Sequence, residues 1–189
     1  MRKVALALIL SASALLAHAQ VAPIDVNHSK LTVHVEKSGL FSAFAHNHVI
    51  EAPILSGQLD VEKKTVSLVF STREMKVLDP GVKQSELAEI DQTMKSDKVL
   101  DVQRFPEIRF TSTAVTAQDG GRYQVRGDLA LHGVTRTIDV PVSHVSDRYT
   151  GSIKLKQTDF GITPVNIAGG TVKVKDVIEI EFEIASGGK

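Results

Sequence analysis

Residues 178–184 read IEIEFEI, and this strict alternation of apolar and acidic side chains determines the fold class of the chain. In an extended strand, neighbouring side chains point to opposite faces, so one face here is buried and the other meets water. The same period of two recurs in residues 31–36, 55–61, 65–70, 107–117, 123–131, 136–145 and 149–157. About eight strands are therefore predicted.

The connections between these strands indicate how they pair. Several are short and rich in turn-forming or charged residues, a length that suits antiparallel hairpins. Neighbours in sequence are then neighbours in space, and closure of the sheet removes its exposed edges. The sequence predicts an all-β, eight-stranded antiparallel up-and-down barrel, with a two-sheet sandwich as the alternative. The short connections are residues 62–64, 118–121 and 146–148.

A different period marks residues 84–98. Leu87, Ile90 and Met94 recur there at three- and four-residue spacing, which is typical of one face of a helix. Ser85 is available to cap the first turn. One short helix in a long connection is predicted.

The first 19 residues are typical of an export signal. Two basic residues precede an apolar run over residues 4–16, and small side chains stand at Ala17 and Ala19, where a signal peptidase reads the chain. We expect cleavage after Ala19 and a periplasmic or secreted protein. The apolar run is shorter than the roughly 20 residues that span a bilayer, and no later stretch reaches that length. No transmembrane segment is expected in the mature protein.

Composition narrows the function classes. The chain has no cysteine, which removes disulfides, thiolate ligands and cysteine nucleophiles together. Without the two basic residues of the signal, 20 basic and 22 acidic residues remain, with no charged run, so nucleic acid is not an expected partner. Residues 20–185 are predicted to form one domain, followed by a disordered tail over residues 186–189.

The barrel interior offers two alternatives. A barrel of eight strands can be filled by side chains or can hold one small ligand. The chain has no Trp and only two Tyr, and its inward candidates are mostly of medium size, which leaves room for a cavity. Aromatic residues in the connections would then stand at its mouth, or else plug a packed barrel. The candidate channel and mouth residues are Val33, Leu59, Leu129, Phe41, Phe44 and Phe160.

Three blocks of sequence resemble the YceI-like family, exported lipocalin-like proteins that bind polyisoprenoid lipids. They are RFPEIRFTSTAV from Arg104, GDLALHGVTRTIDVPV from Gly127 and QTDFGI from Gln157. The similarity covers about His28 to Ile184. It implies a barrel with an elongated apolar channel, in which a prenyl chain lies with its polar head near the opening. The ligand would be an amphiphilic isoprenoid such as a prenyl quinone or prenyl phosphate.

Residues 44–53, FAHNHVIEAP, carry the most prominent polar pair. In extended backbone, His46 and His48 point to the same side. They could hydrogen-bond the head group of a ligand from a lid, stand on the surface, or bind zinc or copper with further ligands. The metal alternative makes this a metal-binding or redox-linked protein. Candidate further ligands are Glu51, His34 and His132.

Catalytic patterns are missing from the sequence. It has no Gly-x-Ser-x-Gly elbow, and no paired carboxylates stand in an apolar setting. We therefore expect a binding protein, not an enzyme, with no cofactor beyond a bound isoprenoid lipid. A structural barrel that docks on a partner through its outer surface is a further hypothesis, and so is a homodimer.

Overall fold

The computed structural model describes residues 21–38, 47–167 and 172–187. Strands dominate these residues, with one α-helix and a short 3-10 helix over Gln157–Phe160. The elements are β1 (Val21–Ser38), β2 (His48–Glu51), β3 (Ile54–Asp60), β4 (Thr65–Ser71), β5 (Lys76–Val77), α1 (Gln84–Lys95), β6 (Glu107–Gln118), β7 (Arg122–Leu131), β8 (Val134–Val145), β9 (Arg148–Lys156), β10 (Asn166–Ile167) and β11 (Val172–Ser186).

The strands close into one antiparallel barrel. Eight strand positions, called staves here, surround it in the order β11–β9–β8–β7–β6–β4–β3–β1, and β1 pairs back onto β11. Both β2 and β3 pair with β1, so they act as one stave interrupted at Ala52 and Pro53. The short strands β5 and β10 extend the sheet beside β2 and β11. The predicted eight-stranded barrel is confirmed, and the two-sheet sandwich is not the architecture.

The barrel has two structurally different ends. The helix end carries the long connection over residues 72–106, the β7–β8 turn at residues 132–133 and the segment over residues 157–165. The hairpin end, as far as the structure describes it, carries the tight turns at residues 61–64, 119–121 and 146–147, the start of β1 and the end of β11.

A bulge in β1 sets which of its side chains point inward. Asp25 and Lys30 are five positions apart on β1, whereas their partners on β11 are only two positions apart. The Ser29 hydroxyl donates to the Asp25 carbonyl at 2.6 Å and accepts a backbone N–H of β11 at 2.9 Å, so it replaces the missing ladder bonds. Ile24 and Val33 are an odd number of positions apart, so a regular strand would place them on opposite faces. The bulge shifts the alternation, and both consequently face the interior.

The alternation over residues 55–61 predicts that Leu55 and Leu59 face the same side of β3, but a smaller register shift overturns this. The shift lies between Ile54 and Ser56, so Ile54 is buried and Leu55 is 43% exposed. Leu59 faces inward as the alternation indicates, whereas Val61, in the turn that follows, is 62% exposed. A bulge changes which side chains of the strand face inward, and the apolar pattern of the sequence does not reveal where it lies.

Helix α1 lies over the helix end with Ile90 and Met94 towards the cavity, and Met94 is buried. The prediction that Ser85 caps it is wrong. Lys83 occupies the N-cap position without a side-chain hydrogen bond, and the chain is already helical at Gln84. Among the described residues, no helix combines the length and apolar character that crossing a bilayer requires.

The last strand extends beyond the predicted domain boundary. Ser186, the first residue of the predicted disordered tail, is the final residue of β11 and pairs with Ile24 of β1. Its N–H donates to the Asp147 carbonyl at 3.2 Å. The pairing that closes the barrel therefore reaches the last residue of the strand.

Candidate functional site

The barrel encloses an apolar cavity of about 720 Å³. Cavities of roughly 300 to 1,000 Å³ are typical of sites for small molecules. Along β7 the lining runs from Tyr123 to Leu131, which corresponds to about 27 Å of strand. Aliphatic side chains from every stave form the wall. Representative members are Val33, Leu59, Val66, Leu129, Val140, Ile153 and Ile180.

Two glycines explain why the phenylalanines do not fill this space. A methyl group at Gly127 would lie 2.5 Å from the Phe110 ring, and one at Gly151 would lie 2.4 Å from the Phe182 ring. The rings thus lie over glycines of the adjacent stave, against the wall. Two of the four phenylalanines that line the cavity are accommodated in this way, which leaves more of its centre open.

Described connections cover part of the helix end of the cavity. Phe160, only 2% exposed, packs in the same core cluster as Met75, Met94, Leu100 and Ile162. Its carbonyl oxygen lies 3.3 Å from His132 Nδ1, so the β7–β8 turn is tied to the 3-10 helix. Phe160 lines the cavity from this position.

His48 is the polar side chain that the strand pattern brings to this end. It lines the cavity, and its Nδ1 lies 2.6 Å from Asp79 Oδ2. Asp79 is 5% exposed, and its Oδ1 accepts the Val49 N–H at 2.7 Å. Because a carboxylate accepts hydrogen bonds, His48 donates from Nδ1 and keeps Nε2 for another partner. A neutral ring would then accept at Nε2 from a hydroxyl, whereas a doubly protonated ring would donate from Nε2 to a carbonyl or phosphate oxygen.

Asp79 could not be found from the sequence. It stands 31 residues after His48, in a segment whose Asp-Pro-Gly sequence is typical of a turn. The pairing of β5 with β2, continued by the bond from the Leu78 N–H to the Val49 carbonyl, brings it beside the histidine. A two-residue strand gives no periodic signal that would predict this contact.

Among the predicted channel residues, five lie in the described part of the chain and all five line the cavity. They are Val33, His48, Leu59, Leu129 and Phe160. Phe41, Phe44 and His46 lie outside the described residues.

The candidate metal ligands do not converge on His48. Glu51 and His48 are three positions apart on β2, so strand alternation places their side chains on opposite faces. Because His48 lines the cavity, Glu51 lies on the outer face. His34 is also outside, with Nε2 3.3 Å from Glu181. His132 contacts the Phe160 carbonyl instead. Within residues 21–38, 47–167 and 172–187, no three His, Cys, Asp or Glu side chains form a metal-binding group. A site that includes His46 stays a prediction.

Charged side chains of both signs line the helix end of the cavity. They give this end a polar margin around an apolar interior, which is the arrangement that suits an amphiphile with its head at the mouth. Gln157, next to them, is held by a bond from its Nε2 to the Lys175 carbonyl at 2.9 Å. The charged lining residues are Lys37, Glu86, Glu89, Lys156 and Lys173.

The hairpin end holds a second polar group inside the barrel. Tyr123 and Tyr149, the two tyrosines of the chain, both line the cavity there. The His144 ring stacks on Tyr149 with a centroid distance of 4.2 Å and an interplanar angle of 13°. Burial raises the pKa of Tyr149, and the neighbouring Tyr123 raises this pKa further. A neutral phenol can donate a hydrogen bond through its hydroxyl.

Comparison with known proteins places this barrel in a family. The model of the YceI-like domain matches residues 18–186. The chain belongs to the YceI-like family. It is 27% identical to a UPF0312 protein of Shewanella denitrificans over an alignment of 198 positions, which covers 95% of this chain and 98% of that protein. A UPF0312 protein of Pseudomonas savastanoi pv. phaseolicola is 31% identical over an alignment of 138 positions, which covers 68% of this chain and 62% of that protein.

Solved structures share the fold of this YceI-like domain. A polyisoprenoid binding domain from Saccharophagus degradans superposes with a TM-score of 0.62 at 16% identity, covering 90% of this chain and 100% of that one. Burkholderia cenocepacia BcnA gives a TM-score of 0.60 at 17% identity, with coverages of 85% and 98%. The resemblance inferred from the three sequence blocks is therefore confirmed at the level of family and fold.

Proposed function

We propose that this chain is an exported lipid-binding protein that holds an amphiphilic isoprenoid, such as a prenyl quinone or prenyl phosphate, in its barrel. The observation that carries the proposal is the apolar cavity of about 720 Å³, which runs between the two ends. Each CH₂ transferred from water into such a space contributes roughly 0.8 kcal/mol, so a long chain is held without charge pairing. The polyisoprenoid binding domain of Saccharophagus degradans supports the ligand class through its shared fold. The role is binding, not catalysis.

In this proposal the head group lies at the helix end. A doubly protonated His48 would donate from Nε2 to a head-group oxygen, while Asp79 accepts from Nδ1 and fixes the orientation of the ring. Lys156 and Lys173 are exposed residues that line the same end, and an ammonium group turned towards the cavity would favour a quinone carbonyl or a phosphate. The apolar tail would extend past Leu129 towards the hairpin end.

Native mass spectrometry of protein purified from its own periplasm tests the ligand. A bound mass that fragments as an isoprenoid supports the proposal. The same preparation tests export, because N-terminal sequencing of the periplasmic protein should begin at Gln20 if cleavage follows Ala19. A protein that carries no lipid, or one that keeps its first residues in the cytoplasm, contradicts the corresponding half of the proposal.

Two adjacent residues of β9 offer a matched pair of variants. Ile153 lines the cavity, whereas Lys154 points outward towards Glu179. Ile153→Trp fills the channel and should lower the amount of retained isoprenoid more than tenfold, since the added ring takes the place of chain carbons. Lys154→Trp adds the same bulk outside and should retain the ligand as the parent does. Equal retention by both variants would show that the ligand binds elsewhere.

A further inference from the structure

The hairpin end contains hydroxyl groups whose hydrogen-bonding capacity the protein does not use. Neither Tyr123 nor Tyr149 makes a hydrogen bond through its hydroxyl to any residue that the structure describes, although both rings line an apolar cavity. Both hydroxyl oxygens keep accessible surface, because no buried side-chain oxygen of the described residues lacks a partner, so water or a ligand can reach them. These two hydroxyls are therefore available to a bound molecule.

The strands fix the two tyrosines on either side of one stave. Tyr123 pairs with Val142 and Tyr149 pairs with His144, and these partners are two residues apart on β8. The His144 N–H donates to the Gly121 carbonyl at 2.8 Å, and its ring stacks on Tyr149. Backbone pairing on both sides and ring stacking thus hold the pair in place. The arrangement is a pre-formed one, which lowers the cost of binding.

The surroundings select a neutral oxygen over an anion. Apolar side chains of Val115, Val125 and Val142 line the cavity beside the tyrosines. An anion placed there would lose its hydration, and the ionised lining residues of this end, Asp60 and Lys64, carry opposite signs. A hydroxyl or carbonyl oxygen can accept from a phenol at a much smaller desolvation cost.

We propose that Tyr123 and Tyr149 form a second polar subsite, which binds a neutral hydroxyl or carbonyl oxygen at the end of the ligand opposite its head. The ligand class is then an amphiphile with oxygen at both ends of a long apolar chain. This inference rests on the proposed function, because it requires a chain in the channel whose head is at the His48 end. The inference adds that the end of the ligand opposite the head carries a hydroxyl or carbonyl oxygen.

Two alcohols with the same apolar chain test this subsite. 1-Dodecanol has one oxygen and 1,12-dodecanediol has two, and the dissociation constant of each is measured on the delipidated full chain. The readout is the ratio of the two constants, compared between the parent and the double variant Tyr123→Phe/Tyr149→Phe, so that the different solubilities of the probes cancel. Losing hydrogen bonds to the far oxygen should lower the advantage of the diol by about tenfold. Each single variant should lose part of it.

A control variant removes a hydroxyl from the outer side of the same strand. Thr150 follows Tyr149 on β9 and faces the outer groove beside Ser143, so Thr150→Val should leave the ratio at the parent value. Melting of each ligand-free variant close to the parent temperature confirms that the rings still pack. An unchanged ratio in the double variant overturns the subsite while leaving lipid binding intact. If neither alcohol binds the parent, the proposed function fails first and the subsite with it.

Discussion

The two ends of the barrel receive the same strands but hold their polar groups in different ways. At the helix end, Asp79 and Phe160 belong to connections, and His48 depends on Asp79 for its orientation. At the hairpin end, Tyr123 and Tyr149 belong to the strands themselves and are placed by the register of the ladder. The turns there contribute only a few residues each.

This difference separates two ways of specifying a ligand. Loops can change without disturbing the sheet, so the chemistry of the helix end can vary while the barrel is retained. A change of register at the hairpin end would instead move every inward side chain of that strand to the outside. Recognition of the head is therefore adjustable, whereas the far end is determined by the fold.

The largest expected contrast lies between two glycines of the turns. Gly133 at the helix end has φ +75°, and a methyl group there would lie 2.6 Å from the Phe105 ring. Gly120 at the hairpin end has φ +71° with nothing within 4 Å. Gly133→Ala should lower the free energy of unfolding by about 2 to 4 kcal/mol through left-handed strain plus overpacking, and Gly120→Ala by about 1 kcal/mol through strain alone. Urea denaturation measures both. Equal losses would show that the helix-end turn is not packed under the connection.

Removing Asp79 should have an intermediate effect. Asp79→Ala leaves the Val49 N–H without its acceptor and frees the His48 ring, which should cost about 1 to 3 kcal/mol of stability. It should also weaken binding of an isoprenoid phosphate, because the imidazole is no longer held towards the cavity. Asp97, exposed in the same connection, supplies the control, and Asp97→Ala should change neither quantity. Binding unchanged in Asp79→Ala would remove His48 from the head-group site.

Much of the fold could be predicted because alternation is a local property of the chain. Ile178, Ile180 and Phe182 face the cavity as their spacing indicates, and the eight staves follow from seven more segments of this kind. The errors have non-local causes or lie at the boundary of an element. Leu55 turns outward at a register shift, and Ser85 does not cap the helix because the N-cap position is Lys83, two residues earlier.

The site was less predictable, since it depends on contacts between distant segments. The sequence offers His48 as a polar residue of a lid, of the surface or of a metal site, and it gives no sign of its partner Asp79, which a two-residue strand brings near. In the sequence, Tyr123 and Tyr149 contribute only a count of two tyrosines. Their position at one end of the cavity follows from the register of β7, β8 and β9, which composition does not contain.

The smallest expected difference between the ends is in their response to acid. At the helix end, the Thr158 N–H donates to Asp176 at 2.9 Å and, with the Thr158 hydroxyl, holds the pKa of this carboxyl below its ordinary value of 3.8. At the hairpin end, the Lys63 N–H lowers the pKa of Asp60 in the same direction. A lowered pKa in the folded state means that each carboxylate stabilises the protein above the unfolded pKa, and that this stabilisation is lost as pH falls through the folded value.

Asp176→Asn and Asp60→Asn distinguish the two ends in this test. Each variant should be less stable than the parent near neutral pH, and the difference should shrink as the solution is acidified below about pH 4, because the parent then loses its carboxylate too. Only Asp176→Asn should also loosen the ligand, since Thr158 lies in the 3-10 helix that carries Phe160 over the cavity. Melting curves between about pH 7 and pH 2, with and without bound lipid, measure both effects. A stability difference that stays constant over this range would mean that the hydrogen bonds to these carboxyls do not depend on their charge.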